Sequence, residues 1–536
     1  MLEVSLSIVT LGGLTASALV AAFWGTFFSR LASVPGPFLA RFTDLWYTYR
    51  MYRGNFEKDN LELHKKHGMF TPLRSKKRYP TTNISGFSHA GPVVRYGVNR
   101  YSISDPMAAK VIYGTGTKFT KSAWYESWSS PHPDAWNLFG DRDARRHAAN
   151  RRQYQNTYSM SSLVNYESFV DDCADLFCQR LEEMSARDGW DRAVDMGHWL
   201  QCYAFDVIGM ITYSKRIGFL DLGEDIGDVM KNLEDHLAYA SLIGNYPQLH
   251  PIVFPIRNWL AGSRGKGRQY IINYTQECMA AHQAKPKAEA PSEAGDSKEA
   301  RTLDFLSKFM QKNLEDPTVF TTYHALAGAT SNMVAGSDTT SISLSAILYY
   351  VLRNPDVLKR VREEVDAHCP QDKTSPYITF SQSNDMPYLQ AVIKEALRVH
   401  PATGLPLERI VPKGGATISG VFFPEGVTVG INSWVEHNNK AIFGEDADVF
   451  NPDRWLQDDK ERLSTMMRHW MPFGLGSRTC IGRHISMLEI AKLIPRLVRD
   501  FEMEICEKGP WETQNYWFVK PKNFKVLVRP RLLGVV

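Results

Sequence analysis

The chain has 536 residues, 43% hydrophobic and 22% charged, which is typical of a folded globular protein and excludes a disordered one. Its net charge of +4 is too small to argue for binding to nucleic acid. The seven cysteines have no framework spacing, which excludes a small secreted disulfide scaffold. No long linker rich in Gly, Ser or Pro divides the chain, so we expect one large domain preceded by a tail.

The tail is apolar. No charged residue occurs between Glu3 and Arg30, and about 20 apolar residues span a bilayer as a helix. The start is acidic and the end carries an aromatic cluster, which favours a retained transmembrane helix over residues 1–30 and not a cleaved signal peptide. Arg30 and Arg41 predict that residues 31–536 lie in the cytosol. The alternative is a buried core helix.

Helical periodicity dominates the rest of the chain. Helical runs are predicted around residues 160–185, 194–215, 303–312, 320–367 and 385–399. Short strands are predicted at Val93–Ile103, Ala416–Phe423, Val427–Ile431 and near Lys525–Arg529. Ala284–Ala300 lacks periodicity and predicts a flexible surface loop. The predicted fold class is therefore mainly α with small β-sheets.

The strongest motif lies at Phe473–Gly482, with the sequence FGLGSRTCIG. A thiolate that binds a haem iron needs a fixed turn whose N–H groups point at the sulfur. The glycines allow the unusual backbone angles of such a turn, and Arg478 can pair with a haem propionate. The run Met487–Leu497 predicts a helix just after Cys480, whose N-terminus favours a negative sulfur.

This motif resembles the cysteine signature of the cytochrome P-450 family at every defining position. The resemblance implies the cytochrome P-450 fold and the cofactor haem b (heme b). It makes Cys480 the axial iron ligand and places Phe473 and Arg478 at the cofactor. The alternative is a chance Gly-rich loop around a buried cysteine.

A second motif, Glu395–Arg398 with the sequence EALR, lies on a helical run and resembles the family's E-x-x-R. Residues three apart share a helix face, so Glu395 and Arg398 can pair. The segment Phe450–Trp455 resembles the loop whose arginine, here Arg454, completes a structural triad with them. Alone, an E-x-x-R is more often a surface pair.

The long predicted helix contains the segment Ala335–Thr340, with the sequence AGSDTT. A Thr hydroxyl can bond a backbone carbonyl and open a local bend in a helix. The resemblance implies that this segment lies over the haem, where Thr339 hydrogen-bonds dioxygen and Asp338 relays protons. The alternative is a packing defect with a solvent-facing Asp338.

Three further residues resemble haem-propionate ligands of the family. His147 precedes Arg151 by four, which places both on one helix face, and stands where Trp is commoner. Arg409 matches a propionate arginine that follows the E-x-x-R helix. Lone arginines are more often surface residues.

The resemblance implies a haem-thiolate monooxygenase that inserts one atom of O2 into a small apolar organic substrate. Segments within Tyr101–Tyr125 are similar to fungal enzymes of the pisatin-demethylase-like group, which act on secondary metabolites. No dinucleotide or flavin motif follows Cys480, so electrons are expected from a separate NADPH–cytochrome P-450 reductase at the endoplasmic reticulum membrane. An acidic docking surface could meet the basic residues Arg142, Arg145, Arg146, Arg152 and Arg483.

By the same resemblance, four segments form the substrate walls: Ala123–Leu138, Gly328–Thr339, Ala402–Leu407 and Asn515–Phe518. The first of them is rich in aromatic residues, which predicts an aromatic wall; the alternative for each ring is ordinary core packing. These residues are Trp124, Tyr125, Trp128 and Trp136.

Residues 69–91 interrupt the resemblance, because family members pass directly from a His-x-x-x-Gly to the Pro-Val-Val-Arg that begins at Pro92. The inserted residues are basic and polar without periodicity. Their codons are compatible with splice signals, so we hypothesise a retained intron translated in frame. The alternative is an ordinary exposed loop.

Two other activities fit the same fold. A reductase-independent isomerase or dehydratase would be favoured by loss of the acid–Thr pair, but Asp338 and Thr339 are present. A non-catalytic haem- or ligand-binding protein would be favoured by loss of Cys480 or Arg398, and both are present.

Overall fold

The computed structural model describes residues 31–67, 92–132, 134–188, 193–262, 266–284, 303–369 and 377–531. The predicted anchor (1–30), the insertion (69–91) and the predicted loop after Ala284 lie outside these ranges. Within them, no helix is long and apolar enough to cross a membrane.

The described chain is mainly helical, as predicted. Its α-helices are α1 (Leu45–Tyr52), α2 (Phe56–His67), α3 (Pro106–Tyr113), α4 (Ala144–Gln155), α5 (Met160–Leu163), α6 (Glu167–Asp188), α7 (Met196–Tyr213), α8 (Phe219–Leu222), α9 (Val229–Ile243), α10 (His250–Ala261), α11 (Lys266–Ala284), α12 (Phe305–Glu315), α13 (Thr322–Arg353), α14 (Pro355–His368), α15 (Phe380–Asn384), α16 (Pro387–Val399), α17 (Ser433–His437), α18 (Lys440–Phe443), α19 (Lys460–His469) and α20 (Arg483–Asp500).

The strands are short, as predicted. They are β1 (Val93–Gly97), β2 (Arg100–Ile103), β3 (Thr120–Lys121), β4 (Val194–Asp195), β5 (Arg409–Ile410), β6 (Ala416–Ile418), β7 (Val421–Phe423), β8 (Thr428–Gly430), β9 (Phe501–Ile505), β10 (Thr513–Tyr516), β11 (Phe518–Pro521) and β12 (Lys525–Pro530). The largest sheet has the order β1-β2-β8-β5-β3, in which β2 and β8 run parallel. A second sheet has the order β4-β12-β9, and β6-β7 and β10-β11 are hairpins.

The central helix α13 packs against α7, α16 and α20 and places the segment Ala335–Thr340 in the middle of the molecule. A capping box formed by Thr321 and His324 begins the helix. The predicted run 320–367 is two helices, because Pro355 disfavours helical angles at Asn354, whose ψ is 88°. The main apolar core surrounds α13, and a second one packs against the largest sheet.

Candidate active site

The cysteine loop is closed by backbone bonds. The N–H of Cys480 donates to the carbonyl of Phe473 at 2.8 Å, and the hydroxyl of Thr479 donates to the same carbonyl at 3.2 Å. Gly476 has a φ of +66°, and a Cβ there would lie 1.7 Å from the carbonyl oxygen of Tyr113. The loop therefore requires glycine at this position.

The thiol of Cys480 lies deep among protein atoms, although the residue as a whole keeps exposed surface. Helix α20 begins at Arg483, directly after the cysteine loop. Burial raises the pKa of the thiol, while the backbone N–H groups of Gly482 and Arg483 and the charge of Arg151 oppose that shift. The turn thus directs donors at the sulfur, in the manner that a thiolate ligand requires.

Helix α13 lies beside this loop. The hydroxyls of Thr340 and Ser486 are 2.9 Å apart and join α13 to α20. On α13, Ala335 is exposed and Thr339 is half-buried, although most of the helix from Ser337 to Leu348 is buried. The Thr339 hydroxyl donates to the carbonyl of Ala335 at 2.8 Å, and the α-helix continues unbroken. Ala335 and Thr339 thus lie on the accessible face of α13.

Asp338 does not face solvent, so that alternative is wrong: its side chain is 1% exposed. One carboxylate oxygen accepts a hydrogen bond from the amide of Gln201 on α7. The other lies 3.0 Å from the ammonium nitrogen of Lys520 on β11. The acid that follows from the family resemblance is therefore ion-paired on the side of the hairpin β10-β11.

The structure brings the predicted propionate ligands together and adds Lys121, which the sequence did not single out. These cations repel one another: burial, then Arg409, lowers the pKa of Arg478 to about 10, and burial, then Arg478 and Lys121, lowers that of His147 to about 3. Burial and the neighbouring Arg409 and Arg478 also lower the pKa of Lys121 well below its ordinary value. In the described part of the chain, none of the five cluster residues forms an ion pair with a carboxylate; they are Lys121, His147, Arg151, Arg409 and Arg478.

This cationic cluster fits haem. The nearby carboxylate of Asp141 is ion-paired with Arg146, so a group of cations that forms no ion pair of its own matches a ligand with two propionates. A thiol under backbone N–H groups matches an iron ligand. The described residues contain no group of three or more His, Cys, Asp or Glu side chains that could hold a bare metal ion. No local pattern in the sequence singles out Lys121, because β3 is only two residues long and both neighbours of Lys121 are polar.

The predicted triad is also brought together, and it is fully buried. One Glu395 oxygen accepts from Arg398 at 2.7 Å and from Arg454 at 2.9 Å. The other accepts from Arg398 at 2.8 Å and from the indole of Trp455 at 2.9 Å. Both side chains of the Glu395–Arg398 pair have no exposed surface, so the alternative of a surface pair is wrong.

Two predicted substrate walls meet in an aromatic cluster: Trp124, Tyr125, Trp128, Phe139 and Trp517, with ring centroids 5.0–6.2 Å apart. Trp124 and Tyr125 are buried by packing within it, whereas Phe139 is exposed. Trp136 lies elsewhere and packs against Tyr323 and His324. The turn at Trp517 is tied to the third wall, because the N–H of Gly404 donates to the carbonyl of Trp517 at 2.9 Å.

These features define a protein of the haem-thiolate class. A family model described as Cytochrome P-450 matches residues 87–528. A pisatin demethylase of Fusarium vanettenii is 36% identical over 518 residues, covering 94% of this chain and 92% of that protein. A second one from the same fungus is 35% identical over 520 residues, covering 95% and 90%. A cytochrome P-450 monooxygenase of Aspergillus terreus is 36% identical over 486 residues, covering 88% and 90%.

The chain therefore belongs to the cytochrome P-450 family. It is an oxidoreductase of the monooxygenase class, and haem is its cofactor.

Proposed function

We propose that the protein inserts one atom of O2 into a small apolar secondary metabolite, by hydroxylation, demethylation or a related oxidation. In this reaction R–H, O2, two electrons and two protons give R–OH and water. The electrons come from NADPH through a separate NADPH–cytochrome P-450 reductase. The observation that carries the proposal is the Cys480 thiol, held under two backbone N–H groups beside the accessible face of α13.

The residues of the site have distinct tasks. Bound haem supplies the iron centre that activates dioxygen, with Cys480 as its ligand. The cationic cluster holds the two propionates by charge-assisted hydrogen bonds. Thr339 presents its hydroxyl on the accessible face of α13, and Asp338 supplies a proton from its carboxyl group. Glu395, Arg398 and Arg454 keep the surrounding fold in place.

The substrate class follows from the aromatic cluster. Trp124, Tyr125 and Trp517 are buried in this cluster, as in ordinary core packing, whereas Trp128 and Phe139 keep exposed surface. These two rings favour an apolar substrate that can pack against an aromatic face or edge. The printed names of two relatives add demethylation as one outcome. Pisatin is therefore the first probe: a reconstituted mixture with reductase should convert it only when NADPH and O2 are both present. Conversion without the reductase would contradict the proposed electron route.

Thiolate ligation is tested by the carbon-monoxide difference spectrum of the reduced protein. We expect a strongly red-shifted Soret band from the chain as written or from a form lacking residues 69–91, and no such band from Cys480→Ala. A band from the shortened form alone would also support the intron hypothesis. A folded, haem-loaded protein without this band in either form would remove Cys480 as the ligand and contradict the monooxygenase proposal.

We further propose that the protein is a single-pass protein of the endoplasmic reticulum membrane with a cytosolic catalytic domain. Support comes from exposed apolar side chains next to the chain's exit from residues 1–30. Helix α10 presents an outer apolar stripe at i, i+4, i+7 and i+8 spacing, in which Trp259 is 80% exposed. The stripe consists of Ile252, Ile256, Trp259 and Leu260, and the segment after the anchor exposes Phe38, Leu39, Leu45, Tyr49 and Tyr52.

The residues just before α10 contact helix α1 of the segment after the anchor. The hydroxyl of Thr48 donates to that of Tyr246 at 3.3 Å, and the amide of Asn245 donates to Thr48 at 3.0 Å. We expect sedimentation of the full chain with phospholipid vesicles to resist alkaline washing and to be lost after washing in a form without residues 1–30. In that shortened form, Trp259→Glu with Leu260→Glu should weaken the sedimentation seen before washing, whereas Leu314→Glu, at an exposed apolar position on α12, should not. Equal sedimentation of all variants and of a form without residues 1–30 would contradict membrane attachment.

The reductase is expected to dock beside the cysteine loop. Arg145, Arg152 and Arg483 are exposed there, whereas Arg142 and Arg146 are already paired with Glu126 and Asp141. Arg145→Glu with Arg152→Glu should lower reductase-dependent turnover and its dependence on ionic strength without changing the carbon-monoxide spectrum. An unchanged rate would place the docking surface elsewhere.

A further inference from the structure

The ion pair between Asp338 and Lys520 joins helix α13 to the hairpin β10-β11. Asp338 follows from the motif of α13, and Lys520 lies on the hairpin β10-β11, which carries a predicted substrate wall at its turn. The Asp338 side chain is 1% exposed, while that of Lys520 is 21% exposed. The pair therefore runs from the buried acid toward the surface.

The hairpin holds Lys520 firmly. Lys520 is cross-strand partner of Gln514, and the N–H of Val519 donates to the carbonyl of Ala402 at 2.8 Å. Alternate residues of a strand share a face, so Lys520 is on the same face as Phe518 and opposite the fully buried Val519. Phe518 follows Trp517 of the aromatic cluster, so one short strand connects that cluster to the ammonium group beside Asp338.

A carboxylate as buried as Asp338 needs a partner, because burying an unpaired charge is very costly. Here the amide of Gln201 and the ammonium of Lys520 each take one oxygen. A paired carboxylate can accept a proton but has none to give. Before Asp338 can act as an acid it must take a proton from water, and Lys520 is the partly exposed end of the pair.

We propose that Lys520 is a positioning residue for Asp338: it holds the carboxylate at the hairpin, and the proton that Asp338 then donates is taken up from water at the Lys520 end. The proposal rests on the monooxygenase reaction proposed above, which consumes two protons. Each cycle of Asp338 is balanced: water gives a proton to the carboxylate, the carboxyl group passes it toward the Thr339 side, and the carboxylate returns to Lys520.

The first test needs no turnover. The carboxylate band of Asp338 is identified in the infrared spectrum of the full-length, haem-loaded protein by its loss in Asp338→Asn. In Lys520→Met this band should shift, because the ammonium group no longer binds one carboxylate oxygen. Lys520→Arg should restore the band toward its wild-type position. The matched control is Lys522→Met, since Lys522 is exposed two residues along the same segment.

The second test uses the reconstituted enzyme with reductase and pisatin. The ratio of product to NADPH consumed is measured, with hydrogen peroxide as the competing outcome. In Lys520→Met this ratio should fall severalfold and hydrogen peroxide should rise, because the proton reaches the Thr339 side less often, and Lys520→Arg should restore the ratio.

An unshifted carboxylate band in Lys520→Met would overturn the proposal. So would a shifted band with an unchanged ratio of product to NADPH, because Lys520 would then be only a structural partner of Asp338. Failure of the proposed function is a separate result: it appears in the wild type as a missing thiolate spectrum, and the infrared band still decides whether Lys520 holds Asp338.

Discussion

Two buried groups of arginines in this molecule differ in their partners. In the triad, Arg398 donates to both oxygens of Glu395 and also to the backbone carbonyls of His437, Ala447 and Val449. In the cationic cluster near Cys480, Arg478 has one backbone acceptor at 2.8 Å and several cations around it. The first group is complete within the protein, and the second is completed by an anionic ligand.

The difference teaches how to separate a structural arginine from a binding one. Arg398 is fully buried and Arg478 is half-buried, but Arg409 and Lys121 of the second group are buried as well, so burial by itself does not distinguish the two groups. What distinguishes them is whether carboxylates of the chain balance the charge, because a buried cation without one is stable only when something else supplies the negative charge. Four predictions test or extend this comparison.

The largest effect is expected in the triad. Arg398→Lys cannot satisfy Glu395 and three carbonyls at once, so we expect a loss of about 3–5 kcal/mol in the free energy of unfolding, measured with denaturant. Should this variant fail to fold, Trp455→Phe removes one donor from Glu395 and should cost about 1–3 kcal/mol. If these variants lowered the free energy of unfolding by less than an ordinary surface substitution does, the triad would not stabilise the fold.

The cationic cluster should respond in the opposite way. Lys121→Met removes a buried cation, so the haem-free protein should be as stable as wild type or more stable. Haem affinity should nevertheless fall about tenfold or more, since a hydrogen bond to a charged group contributes about 1.5–3 kcal/mol. The measurement is the transfer of haem to apomyoglobin, with Lys118→Met at an exposed position as the control. Destabilisation without loss of haem affinity would make Lys121 a structural residue.

A buried acid without a partner extends the comparison to pH. Burial raises the pKa of Glu489 well above its ordinary value, and neither of its oxygens has a hydrogen-bond partner in the described structure. The pKa of Glu489 is higher in the folded protein than in the unfolded one. The contribution of Glu489 to the free energy of unfolding is therefore most favourable at low pH, and it falls as the pH rises from about 4.3 toward the folded pKa. Relative to wild type, Glu489→Gln should gain up to about 1.4 kcal/mol per pH unit in that window. Parallel stability curves would contradict this.

The smallest effect is expected at an exposed pair. Arg360 and Asp453 are 2.9 Å apart, and their side chains are 46% and 55% exposed. Water and salt screen such a pair, so Arg360→Ala should change the free energy of unfolding by less than about 1 kcal/mol. If Arg360→Ala lowered the free energy of unfolding as much as Arg398→Lys does, burial and the number of partners would not explain the difference between the two arginines.

Much of the fold could be predicted from periodicity. The helices α6, α7, α12, α13, α14 and α16 follow predicted runs, and β1, β2, β6, β7, β8 and β12 fall in predicted strands. Helices α9 to α11 were not predicted. In α10 the apolar residues do have helical periodicity, but Pro251 and Pro255 lie in the same stretch, and proline disfavours a helix. The split of the run 320–367 at Pro355 depends on one proline, which overrides the pattern on both sides.

By itself the sequence determined what lies within short stretches of chain: the cysteine loop with its required glycines, the Glu395–Arg398 pair on one helix turn and the Asp338–Thr339 segment. These depend on local backbone geometry, which neighbouring residues set. Only the tertiary structure decided that Lys121 joins the cations around Cys480 and that Lys520 pairs with Asp338. Lys121 and Lys520 lie far along the chain from these partners. Each charge can act on its partners only because folding brings them together.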